Sequence, residues 1–541
     1  MIPLRQLPVG LLAIALSACS AQVSVPPGPG DAGPVRGGQL NNRVSNDPLD
    51  WDPSFEGAGS PQEQGLAAAY NGLLSFRRGP DLAYTDMVLQ PGLAERWEVS
   101  PDAKRFTFHL RRGVKFANLP PVNGRDLKAA DVRWSLEYAT RTGEFGGKNL
   151  PPGRQEYMYE GLDRIATPDD YTVEVSFKEP FVPFLSFSGS ERNPVVPREI
   201  YDQDGHLKDR IVGTGPFQLD LQASQKGTRW VFRKNPGYWD ATKPYLDEVR
   251  WLVLSNDATA VAAFQTKQID RLDTLEHQDY KELSRLAPDA QTFKYLQPYA
   301  NNMRLSHVAG KPTTDARVRR ALTLALDRDE INRVFAGGEG AWALSGAYVG
   351  LFSDAEIKAL LRYDPAEAAR LLAEAGYPGG LNLDLVTDDV RSPAEMTLFQ
   401  LLQAQLKKAN VNVEIKIFDR ATQRVKRRSG DYGLDITTGQ GSLVGVDNDS
   451  ILVAQFHSAS AANDIKVKDP ELDRLVEAQR REPDLAKRRE LLRAAVKRIA
   501  DQVLQIGLIY VPKWEMVQPY VKENYPHFST RSPYLTSWIS R

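Results

Sequence analysis

Residues 381–418 restrict the architecture more than any other stretch of this 541-residue chain. Leu381, Leu383 and Leu385 alternate at the period of a half-buried strand. Ser392-Pro393-Ala394-Glu395 follows, with a capping serine, a proline for the first helical position and a glutamate three residues on. That predicts a helix running to about Asn410. Val411, Val413, Ile415 and Ile417 then alternate as a second strand. Strand, helix and strand of this length make a parallel crossover, which is right-handed almost without exception. Another helix over Arg420–Arg428 leads to a further strand over Gly433–Thr438. In open α/β sheets ligands sit beyond the carboxyl ends of strands. That rule selects two loops, Thr387–Arg391 and Gly439–Asp449.

The rest of the chain is consistent with a mixed α/β protein of two or three domains. Gly213-Thr214-Gly215-Pro216 marks a tight turn. Strand-like Phe217–Leu221 and Trp230–Arg233 follow, then a turn at Asn235-Pro236-Gly237, an alternating Leu246–Leu254 and a helical pattern over Asp257–Lys267. Phe106–Arg111 and Tyr171–Phe177 also alternate at period two. From about Ala300, helices and strands alternate. Asp315 is placed to cap one helix carrying Val318, Ala321, Leu322 and Ala325, then Ile331, Val334 and Phe335, stopped by Gly337-Gly338. Asp364-Pro365-Ala366-Glu367 opens another, which ends at Gly376. A helical block over Asp469–Gln502 precedes Ile506–Val511, which is expected to cross back to the first lobe.

The first nineteen residues explain the single cysteine, Cys19. Arg5 supplies a basic start, and Val9–Leu16 is an apolar run too short to span a bilayer. Leu16-Ser17-Ala18-Cys19 fits a lipobox, in which the Cys thiol takes a diacylglyceryl group. Residues 1–18 are therefore expected to be a signal peptide and Cys19 the lipidation site. Residues 19–36, rich in Pro and Gly, read as a flexible tether. With one cysteine there is no internal disulfide.

Composition and spacing exclude other chemistry. Net charge is −1, so no overall field favours nucleic acid. The six histidines show no metal-ligand spacing, and no metal or cofactor is expected. Glu144–Lys148 is a near miss to a phosphate loop, one residue short and without the following Ser or Thr, and no Gly-x-Ser-x-Gly elbow occurs. Lys426-Arg427-Arg428 falls at a predicted helix end, where cations favour the dipole, and reads as structural.

Several motifs occur in fixed order: Asp50-Trp51-Asp52-Pro53, Tyr70-Asn71-Gly72-Leu73-Leu74, Pro91–Val99, Phe106–Phe116, Ala130–Ser135, Gly213–Phe217, Asn235–Trp239, Lys267–Asp270, Asp315–Ala321 and Asp327-Arg328. Together they closely resemble the extracellular solute-binding proteins of the peptide/opine/nickel ABC-importer family. The resemblance implies an α/β fold of the periplasmic-binding-protein type II kind, with two hinged lobes and a small accessory α+β domain. The expected division is 37–75, 196–299 and 511–541 for the first lobe, 76–195 for the accessory domain and 300–510 for the second lobe. It also implies a periplasmic monomer, held to the membrane through its lipid, that passes a small solute or short peptide to permease and ATPase subunits without turnover. A lipid-anchored hydrolase, or a ligand sensor on the same scaffold, is the alternative; no convergent nucleophile and base are visible for the former.

The resemblance implies site residues as well. An arginine in the loop of Arg391 pairs with ligand carboxylate in dipeptide binders, although a loop arginine is also commonly just solvated. Asn301 and Asn302, near the crossing between lobes, either read polar groups of the ligand or satisfy backbone at the hinge. Trp51 and Tyr70 are cleft aromatics or core residues. Gln440, Asp447 and Asp449 are the polar candidates of the second loop. Matched backward from Phe456, Asp447 and Asp449 fall on two acidic family positions. The family's amine-anchoring aspartate falls on Val444 and its tryptophan on Gly441. Valine accepts no charge-assisted hydrogen bond, and an unpaired buried ammonium costs about 3–5 kcal/mol. Either a shifted loop brings in Asp447, or the ligand has no free α-amine there.

Overall fold

The computed structural model describes residues 33–54, 60–84, 86–151, 153, 156–275, 277–297, 300–345, 350–389, 391–438, 447–527 and 533–540. Cys19, Gln440, Gly441 and Val444 lie outside these described residues.

The crossover over 381–418 is present: strand Leu381–Asp388, helix Pro393–Lys408 and strand Val411–Phe418. Ser392 and Glu395 complete a reciprocal capping box at the helix start. The two strands pair in parallel from Leu381↔Val411 to Asp388↔Phe418. They belong to a five-stranded sheet ordered Val411–Phe418, Leu381–Asp388, Leu434–Thr437, Asn302–Leu305 and Gln505–Gly507. This sheet is the floor of the second lobe. Its core holds Leu385, Leu398, Phe399, Leu402 and Leu406, each fully buried.

The first lobe is built on a seven-stranded sheet in which Gln39–Val44 lies at the centre, parallel to Glu248–Val253 and to Arg271–Leu275. A four-stranded antiparallel sheet forms the accessory body: Ala94–Val99, Arg105–Leu110, Thr172–Phe177 and Leu162–Asp169. Phe106, Phe108 and Phe184 of that body share one continuous core with Leu40, Phe232 and Trp251 of the seven-stranded sheet. Shared burial of this kind fastens the accessory body to the first lobe.

Several of the ordered motifs meet in space. Gly213 and Gly215 pack so tightly on the end of helix Ser60–Ala69 that a Cβ there would lie 2.0 and 2.4 Å from Ala69 backbone atoms. Thr214 Oγ1 donates to Asn71 Oδ1 at 3.1 Å, and Asn235 Nδ2 donates to the Gly215 carbonyl at 2.9 Å. The motifs thus tie helix, turn and strand into one joint.

Two backbone segments cross between the sheets. Strand Gln291–Leu296 ends in the seven-stranded sheet and Asn302–Leu305 begins in the five-stranded one; Gln505–Gly507 leads back to Pro512–Val517. The segments bond to each other: Gln297 N donates to Val511 O at 2.9 Å, Asn301 N to Ile509 O at 2.8 Å and Leu508 N to Asn301 O at 2.9 Å. This paired link, joined at Ile509–Tyr510 by the short strand Ala341–Trp342, is the hinge between the lobes.

One sequence expectation fails. The single helix from Asp315 to Gly337 is two helices, Ala316–Leu324 and Arg328–Ala336. Asp327 interrupts it because its side chain caps the second helix, accepting from Glu330 N at 3.0 Å. The turn points Arg328 inward, where its guanidinium donates to Gly507 O at 3.0 Å and Thr323 Oγ1 at 3.0 Å. Val334, expected on the apolar face, is 52% exposed.

Candidate functional site

At the carboxyl ends of strands Leu381–Asp388 and Leu434–Thr437, polar side chains gather beside the crossing. Asn302 pairs directly with Thr437 in register, which sets the crossing against this end of the sheet. Arg391 leaves the first of these strand ends and is 16% exposed at its side chain. Its guanidinium meets Thr387 Oγ1 at 3.2 Å, Glu395 Oε1 at 3.0 Å, Thr438 Oγ1 at 3.3 Å and Asp388 Oδ1 at 3.3 Å. Burial works against the Glu395 carboxylate, but hydrogen bonds from Thr438 and the Ser392 N–H and the charge of Arg391 outweigh it and hold its pKa below the ordinary value. Glu395 therefore stays ionised and fixes the guanidinium at the strand end.

Asn301 and Asn302 are 2% and 4% exposed. The main chain of Asn301 is spent on Ile509 and Leu508, yet its side-chain Nδ2 is buried with no hydrogen-bond partner among the described residues. Asn302 Nδ2 donates to Ala300 O at 3.1 Å, while its Oδ1 has no such partner. Buried amide atoms left unpaired are costly, and these two lie at the crossing, with Asn302 in register with Thr437, the residue before the Thr438 that Arg391 contacts.

The acidic candidates of the second loop are engaged elsewhere. Asp447 caps helix Asn448–Phe456 through Asp449 N at 2.9 Å. Arg488 also grips it with two bonds, of 2.6 and 2.8 Å, and both side chains are below a tenth exposed. Asp449 is 1% exposed, accepts from Gln479 Nε2 at 2.5 Å and pairs with Arg480 Nε at 3.0 Å. Desolvation pushes its pKa up to about 6, against the pull of Arg480. Arg480 in turn reaches the accessory body: it pairs with Glu160 at 2.6 Å, covers the Phe181 ring at 4.7 Å and accepts Val182 N on its carbonyl at 2.9 Å.

Trp51 and Tyr70 sit in the first-lobe core. Trp51 is 3% exposed and packs edge-to-face on Trp230 and Phe232, with centroids 5.4 and 6.3 Å apart. Tyr70 is 4% exposed against Gly213, and burial raises its hydroxyl pKa. For these two the core alternative describes the geometry. Thr438, Glu395 and Arg488 were not singled out from sequence. Glu395 was visible only as a capping-box member, and nothing local in the sequence joins Arg488 to Asp447 across 41 residues.

Comparison with known proteins decides the family. Residues 88–463, more than half the chain, match the model described as bacterial extracellular solute-binding proteins, family 5 Middle. The chain belongs to this solute-binding family. Its relatives include the dipeptide-binding protein of Escherichia coli K12, 27% identical over 495 residues that cover 88% of this chain and 90% of that one. Heme-binding protein A of Haemophilus influenzae is 27% identical over 417 residues, 74% of each chain. Among solved structures, the ABC transporter-associated periplasmic binding protein DppA of Helicobacter pylori, in complex with the peptide STSA, superposes with a TM-score of 0.78 at 23% identity, over 94% of this chain and 99% of that one. This family 5 chain is a binding protein and not an enzyme, with the type II fold. Arg391, Asn301, Asn302, Asp447 and Asp449 lie within the matched segment; Trp51 and Tyr70 precede it. No helix of the described residues is long and apolar enough to cross a membrane.

Proposed function

We propose that this protein captures a small peptide-like or other polar solute bearing a carboxylate between its two lobes and delivers it to the permease of an ABC importer, held at the membrane by a lipid on Cys19. The single observation that carries the reading is the cluster at the hinge: one guanidinium held at a strand end, with two asparagine side chains at the crossing that keep buried, unpaired atoms. Arg391 takes the ligand carboxylate as a bidentate pair, partly displacing Asp388. Asn301 donates to the ligand and Asn302 accepts from it. Closure about the paired crossing then removes water from these contacts.

The relatives bind dipeptides, peptides and heme, so kinship alone does not choose the ligand. The engagement of Asp447 by Arg488 favours a solute that presents no free α-amine to the second loop, since releasing Asp447 would leave the buried Arg488 charge without its bidentate carboxylate, held only by neutral Gln479 oxygens. Residues 37–75, 196–299 and 511–541 form the first lobe in this reading, 76–195 the accessory domain and 300–510 the second lobe. Residues 1–18 are the signal peptide and 19–36 the tether, and the protein acts as a monomer.

Mass spectrometry of the natively purified protein tests the reading, with Arg391→Ala in parallel. A copurifying carboxylate-bearing solute, lost from Arg391→Ala while the thermal unfolding of the ligand-free protein changes little, is the expected outcome. Equal retention by the variant, or conversion of the bound solute to product, would overturn it.

A further inference from the structure

Helix Arg420–Ser429 lies against strands Leu381–Asp388 and Val411–Phe418, the latter an edge strand of the five-stranded sheet. Its ten residues, Arg-Ala-Thr-Gln-Arg-Val-Lys-Arg-Arg-Ser, carry five cations and no acid. The helix dipole accounts for cations in the last turn, and two of these are also paired: Lys426 with Asp431 at 2.9 Å and Arg427 with Asp464 at 3.0 Å.

Arg420, Arg424 and Arg428 are different. Each is exposed, and none has an ion-pair or hydrogen-bond partner for its side chain among the described residues. Spaced by four, they run along one face over about 12 Å of helix. Arg420 stands in the first turn, where the dipole repels a cation, and like charges four apart destabilise a helix. The acid nearest in sequence, Asp419, is occupied in capping, accepting from Thr422 N at 2.9 Å and Thr422 Oγ1 at 2.5 Å. Fold stability therefore does not explain these three residues. Two aliphatic residues of the helix follow the first two arginines by one position, Ala421 and Val425, the latter 67% exposed, and Ile417 near the end of the preceding strand is 56% exposed.

We propose that this face of the second lobe docks on an anionic phospholipid membrane. Guanidinium groups bind phosphate in bidentate fashion, and a row of arginines over 12 Å meets several headgroups without needing fixed positions in the partner. The adjoining aliphatics sit where an interfacial helix buries its apolar edge. A protein partner is the weaker fit: protein interfaces are built round aromatic anchors, and the ring nearest this face, Phe418, is half-buried under Lys426, whose Nζ lies 5.1 Å from its centroid. The proposal stands apart from the ligand reading, because the helix shares none of the hinge cluster's residues.

The test uses the mature chain with Cys19→Ser, expressed without residues 1–18, so that neither an acyl group nor the apolar run Val9–Leu16 contributes, sedimented with vesicles. Binding to vesicles of equal parts phosphatidylglycerol and phosphatidylcholine, weakened by added salt and absent with phosphatidylcholine alone, is expected. The triple variant Arg420→Gln/Arg424→Gln/Arg428→Gln should lose roughly a hundredfold in partitioning. A control triple at exposed cations elsewhere, Lys226→Gln/Arg320→Gln/Lys487→Gln, should lose much less. Circular dichroism melting checks that both variants fold. Equal binding to neutral vesicles, no binding to either kind, or equal losses in the two triples would overturn the proposal.

Discussion

Trp51 and Arg391 belong to opposite kinds of environment, though each stands beside a place where ligand is expected. The indole is closed in by Trp230 and Phe232, and its ring occupies the space that a side chain on Gly65 would need, 2.4 Å away. Arg391 touches four polar groups, all from its own loop, the following helix or the neighbouring strand end, and keeps part of its side chain exposed. Trp51 thus has closed, apolar neighbours, whereas Arg391 stands among polar groups and keeps part of its side chain open. Specificity resides where hydrogen-bonding capacity is left over, because only there does a ligand gain more than water does.

The contrast breaks most visibly through stability. Trp51→Ala should destabilise the ligand-free protein by about 3–5 kcal/mol, read as a lowered urea midpoint with unchanged slope. The ligand that copurifies should be the same solute. A changed ligand with unchanged stability would move Trp51 from the core into the site.

Arg488→Met asks whether Asp447 is structural. Both partners are buried, so removing the guanidinium leaves an unpaired carboxylate and should cost about 3 kcal/mol in the same titration. Asp447→Asn/Arg488→Met should recover part of that loss. If the single variant were as stable as the parent and bound amine-bearing peptides more tightly, Asp447 would be a ligand group held in reserve.

Not all second-lobe polarity is for ligand. His307 donates its Nε2–H to the Leu504 carbonyl, 2.9 Å away, and burial pushes its pKa down to about 4 from 6.5. The folded protein refuses a proton that the unfolded chain accepts. Stability from this residue is therefore fully present above pH 6.5 and is lost as pH falls towards 4, by about 3 kcal/mol in total. Urea titrations from pH 7.5 to 4 should show a flatter profile for His307→Gln, with ligand affinity at pH 7.5 unchanged. Parallel profiles would contradict the neutral, saturated imidazole.

How far the molecule could be read from its sequence follows from the range of the forces involved. The crossover at 381–418 was legible because alternation and a capping box act within a few residues. Arg391 was legible as a strand-end residue, while its partner Thr438 lies 47 residues away on another strand. The Asp447–Arg488 pair was hidden because a surface acid and a buried one look alike until the partner helix is placed. The break at Asp327 was missed because the apolar spacing runs on past it, whereas a single capping bond ends the helix. The ordered motifs gave the family away, yet Gly213, Gly215, Asn71 and Asn235 hold the scaffold together and say little about the ligand.

The finest division lies between the two functions an asparagine can have at a hinge. Asn302 donates one bond, to Ala300 O, and buries an oxygen that nothing among the described residues satisfies. Truncation to alanine removes the bond and the unpaired oxygen together, so the two effects oppose and ligand-free stability should shift by less than about 1 kcal/mol. A backbone-supporting hinge residue would behave otherwise, because losing its bond would loosen the crossing and lower the urea midpoint. Ligand affinity should fall by roughly tenfold, one hydrogen bond's worth in a site closed to water. Calorimetry with the copurified solute on Asn302→Ala therefore separates the readings: affinity lost at constant stability places the side chain on the ligand, and stability lost at constant affinity places it on the hinge.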